Sequence, residues 1–247
     1  MTDGAAGTPD GERAEQGIAA RIRDQLALER RIDVADAGSG DPREANRQRW
    51  DERHRERDIE SSEPNPILVA EASKLSPGAA LDVACGVGTN AVWLASRGWQ
   101  VTAVDWSRVA LEKAQAKADS AGLAVDWVEA DLLDWSPPSD AFDLVAIAYL
   151  HLPPEERRTV YAAAARAVAP GGRLLVVGHD RINLTEGVGG PQDPGRLFTA
   201  EELGSELTHA DPALLVERAE VVRHLPSPER GPIDAVLVVR RRDAALV

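Results

Sequence analysis

Between Ala79 and Gly178, short apolar runs of β type alternate with stretches of helical periodicity, and this alternation limits the fold more than any other feature. ALDVAC leads into TNAVWLASRG, and WQVTAVD into SRVALEKAQAKADSAG. AVDWVEAD follows, then FDLVAIAY with PPEERRTVYAAAARAVAP behind it, and GRLLVVG closes the series. The runs carry little polar alternation, the mark of strands covered on both faces, and intervening helices let successive strands return in the same direction. The pattern predicts an α/β domain with a parallel sheet between two helical layers. Ser107 is placed to N-cap one of these helices, and Pro154 suits the first turn of another.

The flanks differ in character. Residues 1–40 form an extension: a Gly-, Ala- and acid-rich start without fixed structure, then a helix marked by Ile18, Ile22 and Leu26, ended by Gly38-Ser39-Gly40. Residues 41–65 are dense in charge around Trp50, which fits either a solvated helix or a lid folding Trp50 over a ligand. The third part, 66–247, begins with a short helix over ILVAEASKL and carries the alternating core. Past Gly178 comes HDRINLTEGVGGPQDPGR, a polar loop of a length that is uncommon in compact domains and often functional. Thr199 and Glu202 then form a capping-box signature. ALLVERAEVVRHL and PIDAVLVVRRR, joined by PSPERG, predict a closing antiparallel strand pair.

Charge and cysteine content narrow the partners. Asp and Glu number 41 against 28 Lys and Arg, a formal charge of −13 that opposes binding to nucleic acid or anionic membrane. Cys85 is the sole cysteine, which rules out an intrachain disulfide and a multi-thiolate metal site. The N-terminus lacks a basic segment followed by an apolar one, and no apolar run reaches membrane-spanning length. A cytoplasmic protein is expected, and no metal ligand set is discernible.

The chemistry concentrates in Leu81-Asp82-Val83-Ala84-Cys85-Gly86-Val87-Gly88, between a strand and a helix. Glycines there let backbone amides approach a ligand. Asp105 closes the next strand 19 residues after Gly86, where a carboxylate can accept the two hydroxyls of an adenosine ribose. Gly86-x-Gly88-x-x-Ala91 also satisfies the dinucleotide fingerprint. Asp82 separates the two readings, because an anion beside the loop repels a pyrophosphate but attracts the ammonium of S-adenosylmethionine (SAM). Asp131, in Glu129-Ala130-Asp131-Leu132, is placed either to accept the exocyclic amine of adenine or to cap a turn.

LDVACGVG, VTAVD, EADLLD, FDLVAIAYLHLP and APGGRLLVVG, in that order, resemble the class I SAM-dependent methyltransferases over about 175 residues. The resemblance implies a Rossmann-like, seven-stranded, mostly parallel sheet with helices on both faces and an antiparallel last strand. It also implies that Asp82, Ala84, Gly86, Gly88 and Asn90 surround the methionyl part of SAM. Asp105 and Trp106 would take the ribose, Asp131 and Leu132 the adenine, and Ala146 would approach from the fourth strand. Ala84 departs from the family's more usual glycine. More narrowly, WDERH followed by NPILVAEA is similar to the tellurite-resistance and thiopurine methyltransferase group.

The expected reaction is methyl transfer to a small-molecule acceptor through an S, Se/Te, O or N nucleophile. A methyltransferase acting on protein or RNA, and an NAD-type dehydrogenase, are the alternatives. A soft nucleophile needs little proton chemistry, whereas a hydroxyl or amine needs a base. His151 and His179 follow the fourth and fifth strands, where a catalytic base belongs; a structural role is the other reading of each. Tyr149 either lines the acceptor pocket or packs. His224 lies in the last hairpin, away from the expected chemistry, and Cys85 is expected to pack in the loop rather than attack a substrate. The oligomeric state is left open.

Overall fold

The computed structural model describes residues 41–56, 63–224 and 231–243, so the helix expected over Ile18–Leu26 and the PSPERG turn lie outside the described residues. In chain order the elements are α1 (Pro42–Glu56), α2 (Pro66–Ala72), β1 (Ala79–Val83), α3 (Thr89–Ser96) and β2 (Gln100–Asp105). They continue with α4 (Arg108–Ser120), β3 (Asp126–Glu129), β4 (Phe142–Ala148), α5 (Pro154–Ala167) and β5 (Val168–His179). The chain then forms a one-turn α6 (Asn183–Glu186), α7 (Ala200–Ala210), β6 (Leu214–Arg223) and β7 (Ile233–Arg241).

One seven-stranded sheet runs β3-β2-β1-β4-β5-β7-β6. The first five strands are parallel, and β7 inserts antiparallel between β5 and β6. The order reverses between β1 and β4, and in open α/β sheets ligands bind beyond the carboxyl ends of the strands at such a switch. Alternation along the strands divides the core in two. Leu81, Val83, Val145, Ile147, Leu174, Val176 and Leu237 point to one face, where they meet Val160 and Tyr161 of α5 and Leu203 of α7. Ala80, Leu144, Ala146, Leu175, Val177, Val236 and Val238 point to the other, against Ile67 and Leu68 of α2 and Leu94 of α3. Both faces are covered, which accounts for the missing polar alternation.

Local chemistry sets the helix ends. Asn65 accepts the amides of Ile67 and Leu68 at α2, and Ser107 accepts that of Ala110 at α4. Thr199 and Glu202 bond each other's backbone amides at α7. The long polar loop is more ordered than its composition implies: it holds α6 and a 3₁₀ turn at Pro194–Arg196, and Asp180 bridges to Phe198. Among the described residues, no helix is long and apolar enough to cross a membrane. Removing the α7 cap by Thr199→Ala is expected to lower stability by about 1 kcal/mol, read from the urea midpoint at constant slope.

Candidate functional site

The loop from β1 to α3 is built to lie close against its surroundings. Gly88 has φ +71°, and a Cβ there would stand 2.5 Å from Trp127 and 2.7 Å from the Ala114 methyl, so β3 and α4 admit only glycine. Ala84 has φ +56°, a left-handed conformation that costs a residue bearing a Cβ about 1–2 kcal/mol. The usual family glycine would occupy it freely, so the chain keeps the loop shape at a cost in strain. Asp105 ties the loop to the end of β2: the Gly86 amide donates to its Oδ2 and the Ser107 amide to its Oδ1, each at 2.8 Å. The Asn90 side chain accepts the Asn65 amide at 2.9 Å, fastening the entry to α2 against the start of α3.

Asp82 lies one residue before the end of β1, just ahead of this loop. It is 1% exposed, and its Oδ2 is buried without a hydrogen-bond partner. Burial, reinforced by the neighbouring Asp105 charge, pushes its pKa up to about 7. Burial also raises Asp105, against the amides that stabilise its charge. A buried carboxylate with one oxygen unmatched and a second carboxylate nearby is a place where positive charge is favoured. Burial likewise raises the Cys85 thiol, which keeps it protonated and fits a packing role.

Beyond the ends of β2 and β3 lies a cavity of about 340 Å³, lined by Trp106, Ala130 and Asp131 on the sheet side and by Arg43, Glu44 and Arg47 of α1. Asp51 of α1 accepts the Ser107 hydroxyl at 2.6 Å, Lys113 reaches the His54 carbonyl, and Arg43 bonds Asp134 at 3.0 Å. The α1 side of the cavity is therefore formed by Arg43, Glu44 and Arg47. Trp50 is not among the lining residues and instead packs on His54 and Arg53. Five acids (Asp41, Glu44, Glu129, Asp131, Asp134) face two arginines around the cavity, which disfavours a pyrophosphate. Asp131 accepts the Leu133 amide through Oδ1, so it does cap a turn, while its Oδ2 lies 3.7 Å from Arg43. Leu132 is half-buried next to it. Ala146 pairs with Asp82 across β1 and β4 and is buried in the sheet core beneath the loop, two residues short of the strand end.

A second polar cluster gathers beyond β4, β5 and β7. Asp234, 0% exposed, receives the Tyr149 hydroxyl at 2.6 Å, His179 Nδ1 at 2.9 Å and His224 Nε2 at 2.8 Å. Against the effect of burial, hydrogen bonds from His179, His224 and Tyr149 hold Asp234 down to about 2, so it is ionised. The His151 Nε2 accepts the His179 amide at 2.9 Å, and the two rings stack with centroids 5.1 Å apart. Desolvation and the adjacent His179 push His151 down to about 3, leaving it neutral. The two histidines singled out in the sequence thus sit together, with the Nε2 lone pair of His151 already committed to backbone. His224 belongs to the cluster despite its place in the hairpin, and Asp234 was missed. The available signal was one acid in the otherwise apolar PIDAVLVV. Among the described residues, no group of three or more His, Cys, Asp or Glu is arranged to hold a metal.

Residues 80–172 match the family model described as "Methyltransferase domain". The demethylmenaquinone methyltransferase of Thermus thermophilus is 36% identical over 108 residues, 43% of this chain and 49% of that protein. The chain thus spans about half the length of that curated relative. Among solved structures, the 1,6-didemethyltoxoflavin-N1-methyltransferase of Burkholderia thailandensis, bound to 1,6-didemethyltoxoflavin and S-adenosylhomocysteine, overlaps with TM-score 0.61 at 22% identity, over 85% of this chain and 94% of its own. TehB from Haemophilus influenzae overlaps with TM-score 0.60 at 16% identity, over 74% and 64%. The near-equal overlaps mark a shared fold and do not single out the tellurite-resistance group. The fold is that of the class I SAM-dependent methyltransferase superfamily.

The raised Asp82 gives a test in the absence of ligand. An acid whose folded pKa exceeds its unfolded value holds a proton that the unfolded chain releases, so stability falls as pH rises from about 4 to about 7. The Asp82→Asn protein is expected to lose that part of the decline and to melt higher than wild type at about pH 8. Parallel melting curves across this range would contradict the burial assigned to Asp82.

Proposed function

We propose that this chain is a SAM-dependent methyltransferase acting on a small-molecule acceptor. The observation that carries the reading is the buried Asp82–Asp105 pair at the glycine loop, with one Asp82 oxygen unmatched. Asp82 would hold the ammonium of the cofactor's amino-acid end, with Ala84, Gly86, Gly88 and Asn90 around the methionyl chain. Asp105 and Trp106 would hold the ribose, and Asp131 and Leu132 the adenine. Asp105 spends one lone pair of each oxygen on the loop amides, and carboxylate oxygens have further capacity for ribose hydroxyls. Ala146 would contribute by packing under Asp82 rather than by touching the ligand.

When bound, SAM supplies an electrophilic methyl group on a sulfonium. What remains for the protein is to align an acceptor in line with the carbon–sulfur bond and to exclude water. The α1 arginines, fastened across the adenosine side, support such enclosure. The acidic cavity and the net charge of −13 argue against an RNA acceptor and a dinucleotide cofactor. The relatives' names specify ring-bearing small molecules, which agrees with a small acceptor here.

Calorimetric titration of the full chain with S-adenosylhomocysteine and with NADH tests the reading. The adenosyl ligand is expected to bind and NADH not to, and Asp105→Ala should weaken the former by about tenfold or more, the equivalent of about 1.4 kcal/mol for lost hydrogen bonds to a charged group. Binding of NADH alone would reverse the assignment.

A further inference from the structure

Asp82 and Asp131 would meet the cofactor on different electrostatic terms. Asp82 would receive an ammonium whose charge offsets its own, whereas the exocyclic amine of adenine is a neutral donor and offsets nothing. A carboxylate covered by a neutral base loses water without gaining a countercharge, which is costly unless the protein supplies one. We propose that Arg43 is that countercharge: a positioning residue that holds Asp131 as the acceptor of the exocyclic amine and so sets the selectivity for adenine. The inference rests on the methyltransferase reading and deepens it at the base.

The geometry at the cavity beyond β2 and β3 selects Arg43. Both it and Asp131 line that cavity. Asp131 Oδ1 accepts the Leu133 amide at 2.9 Å, which fixes the orientation of the carboxylate. Asp131 Oδ2 stands 3.7 Å from Arg43 Nη1, within reach of its charge but beyond hydrogen-bond distance, so its lone pairs can serve another donor. The same Nη1 bonds Asp134 Oδ2 at 3.0 Å, which anchors the guanidinium between two acids. The Arg43 amide donates to Asp41 Oδ1 at 3.0 Å and secures the first turn of α1.

Arg47 lines the same cavity but is engaged elsewhere. Its Nε and Nη2 bond Glu44 at 2.9 and 2.6 Å, and its Nη1 lies 3.5 Å from Asp51, so its fork is directed along α1. Arg43 reaches across to the β3 side.

Exposure decides when the pairing matters. The Arg43 side chain is 48% exposed and that of Asp134 71%, and ion pairs this open contribute little to the stability of the free protein. A base entering the cavity displaces water from Asp131 and strengthens its attraction to Arg43. The pair therefore acts on ligand affinity and selectivity, and hardly on folding. Because Asp51 of α1 accepts the Ser107 hydroxyl at 2.6 Å, two residues past Asp105, recognition of the base is complete only with α1 docked.

The test titrates the full chain by calorimetry with S-adenosylhomocysteine and with its analogue bearing hydrogen in place of the exocyclic amine of the base. Wild type is expected to prefer the complete ligand by about tenfold, the value of a hydrogen bond to a charged group. Arg43→Ala should lose most of that preference by weakening the complete ligand while leaving the analogue nearly unchanged. Arg43→Lys, which keeps the charge, should retain most of it. Three results overturn the role of Arg43: an unchanged preference in Arg43→Ala, equal weakening of both ligands as for a residue that only holds α1 in place, or an Arg43→Lys protein no more selective than Arg43→Ala. Equal affinities in wild type would overturn it together with the assignment of Asp131 to adenine. Failure of wild type to bind S-adenosylhomocysteine would remove the cofactor reading on which both rest.

Discussion

Asp82 and Asp105 lie at the carboxyl ends of adjacent parallel strands, both buried and close enough for the charge of one to raise the pKa of the other. The sheet register brings them there: Asp82 pairs with Ala103 and Val83 with Val104, so both strands finish at the same level. Asp105 is stabilised by two loop amides, whereas Asp82 keeps an oxygen without a partner. An isolated carboxylate in such surroundings is costly, and the fold carries that cost where a cation can relieve it. The glycine loop is tied to this edge through Asp105, and α1 is held beside it through Asp51 and Ser107.

The other side of the sheet reversal solves the opposite problem. Asp234 is as deeply buried as Asp82, yet three donors hold it firmly ionised. One carboxylate keeps an unmatched oxygen and the other is fully hydrogen-bonded, at different places along the same sheet edge. The Tyr161 hydroxyl bonds the Leu150 carbonyl at 2.8 Å and steadies the segment between Tyr149 and His151.

Much of this was legible in the chain. Strand and helix periodicities, the Ser107 and Thr199 caps and the antiparallel closing pair are local patterns, and local chemistry produced them. Asp82, Asp105 and Asp131 could be located because strand ends fall next to one another in a parallel sheet. The α1 side of the cavity was not legible: Arg43 and Arg47 lie in a run of similar charges, and only the packing of α1 on α4, through Asp51 and Ser107, selects them over Trp50. Asp234 and His224 escaped for a related reason. Their partners are 55 and 10 residues away, and the pairing depends on β7 inserting between β5 and β6. His151 was found, but the use of its Nε2 by the His179 amide is a tertiary fact.

The most direct measurement compares, by calorimetry at about pH 8, S-adenosylhomocysteine with an analogue lacking only its amino group, for wild type and Asp82→Asn. If Asp82 awaits the ammonium, wild type binds the complete ligand at least about tenfold more tightly than the analogue, and the Asp82→Asn protein narrows that difference. Equal affinities in wild type, with the complete ligand bound, would contradict the role given to the buried pair.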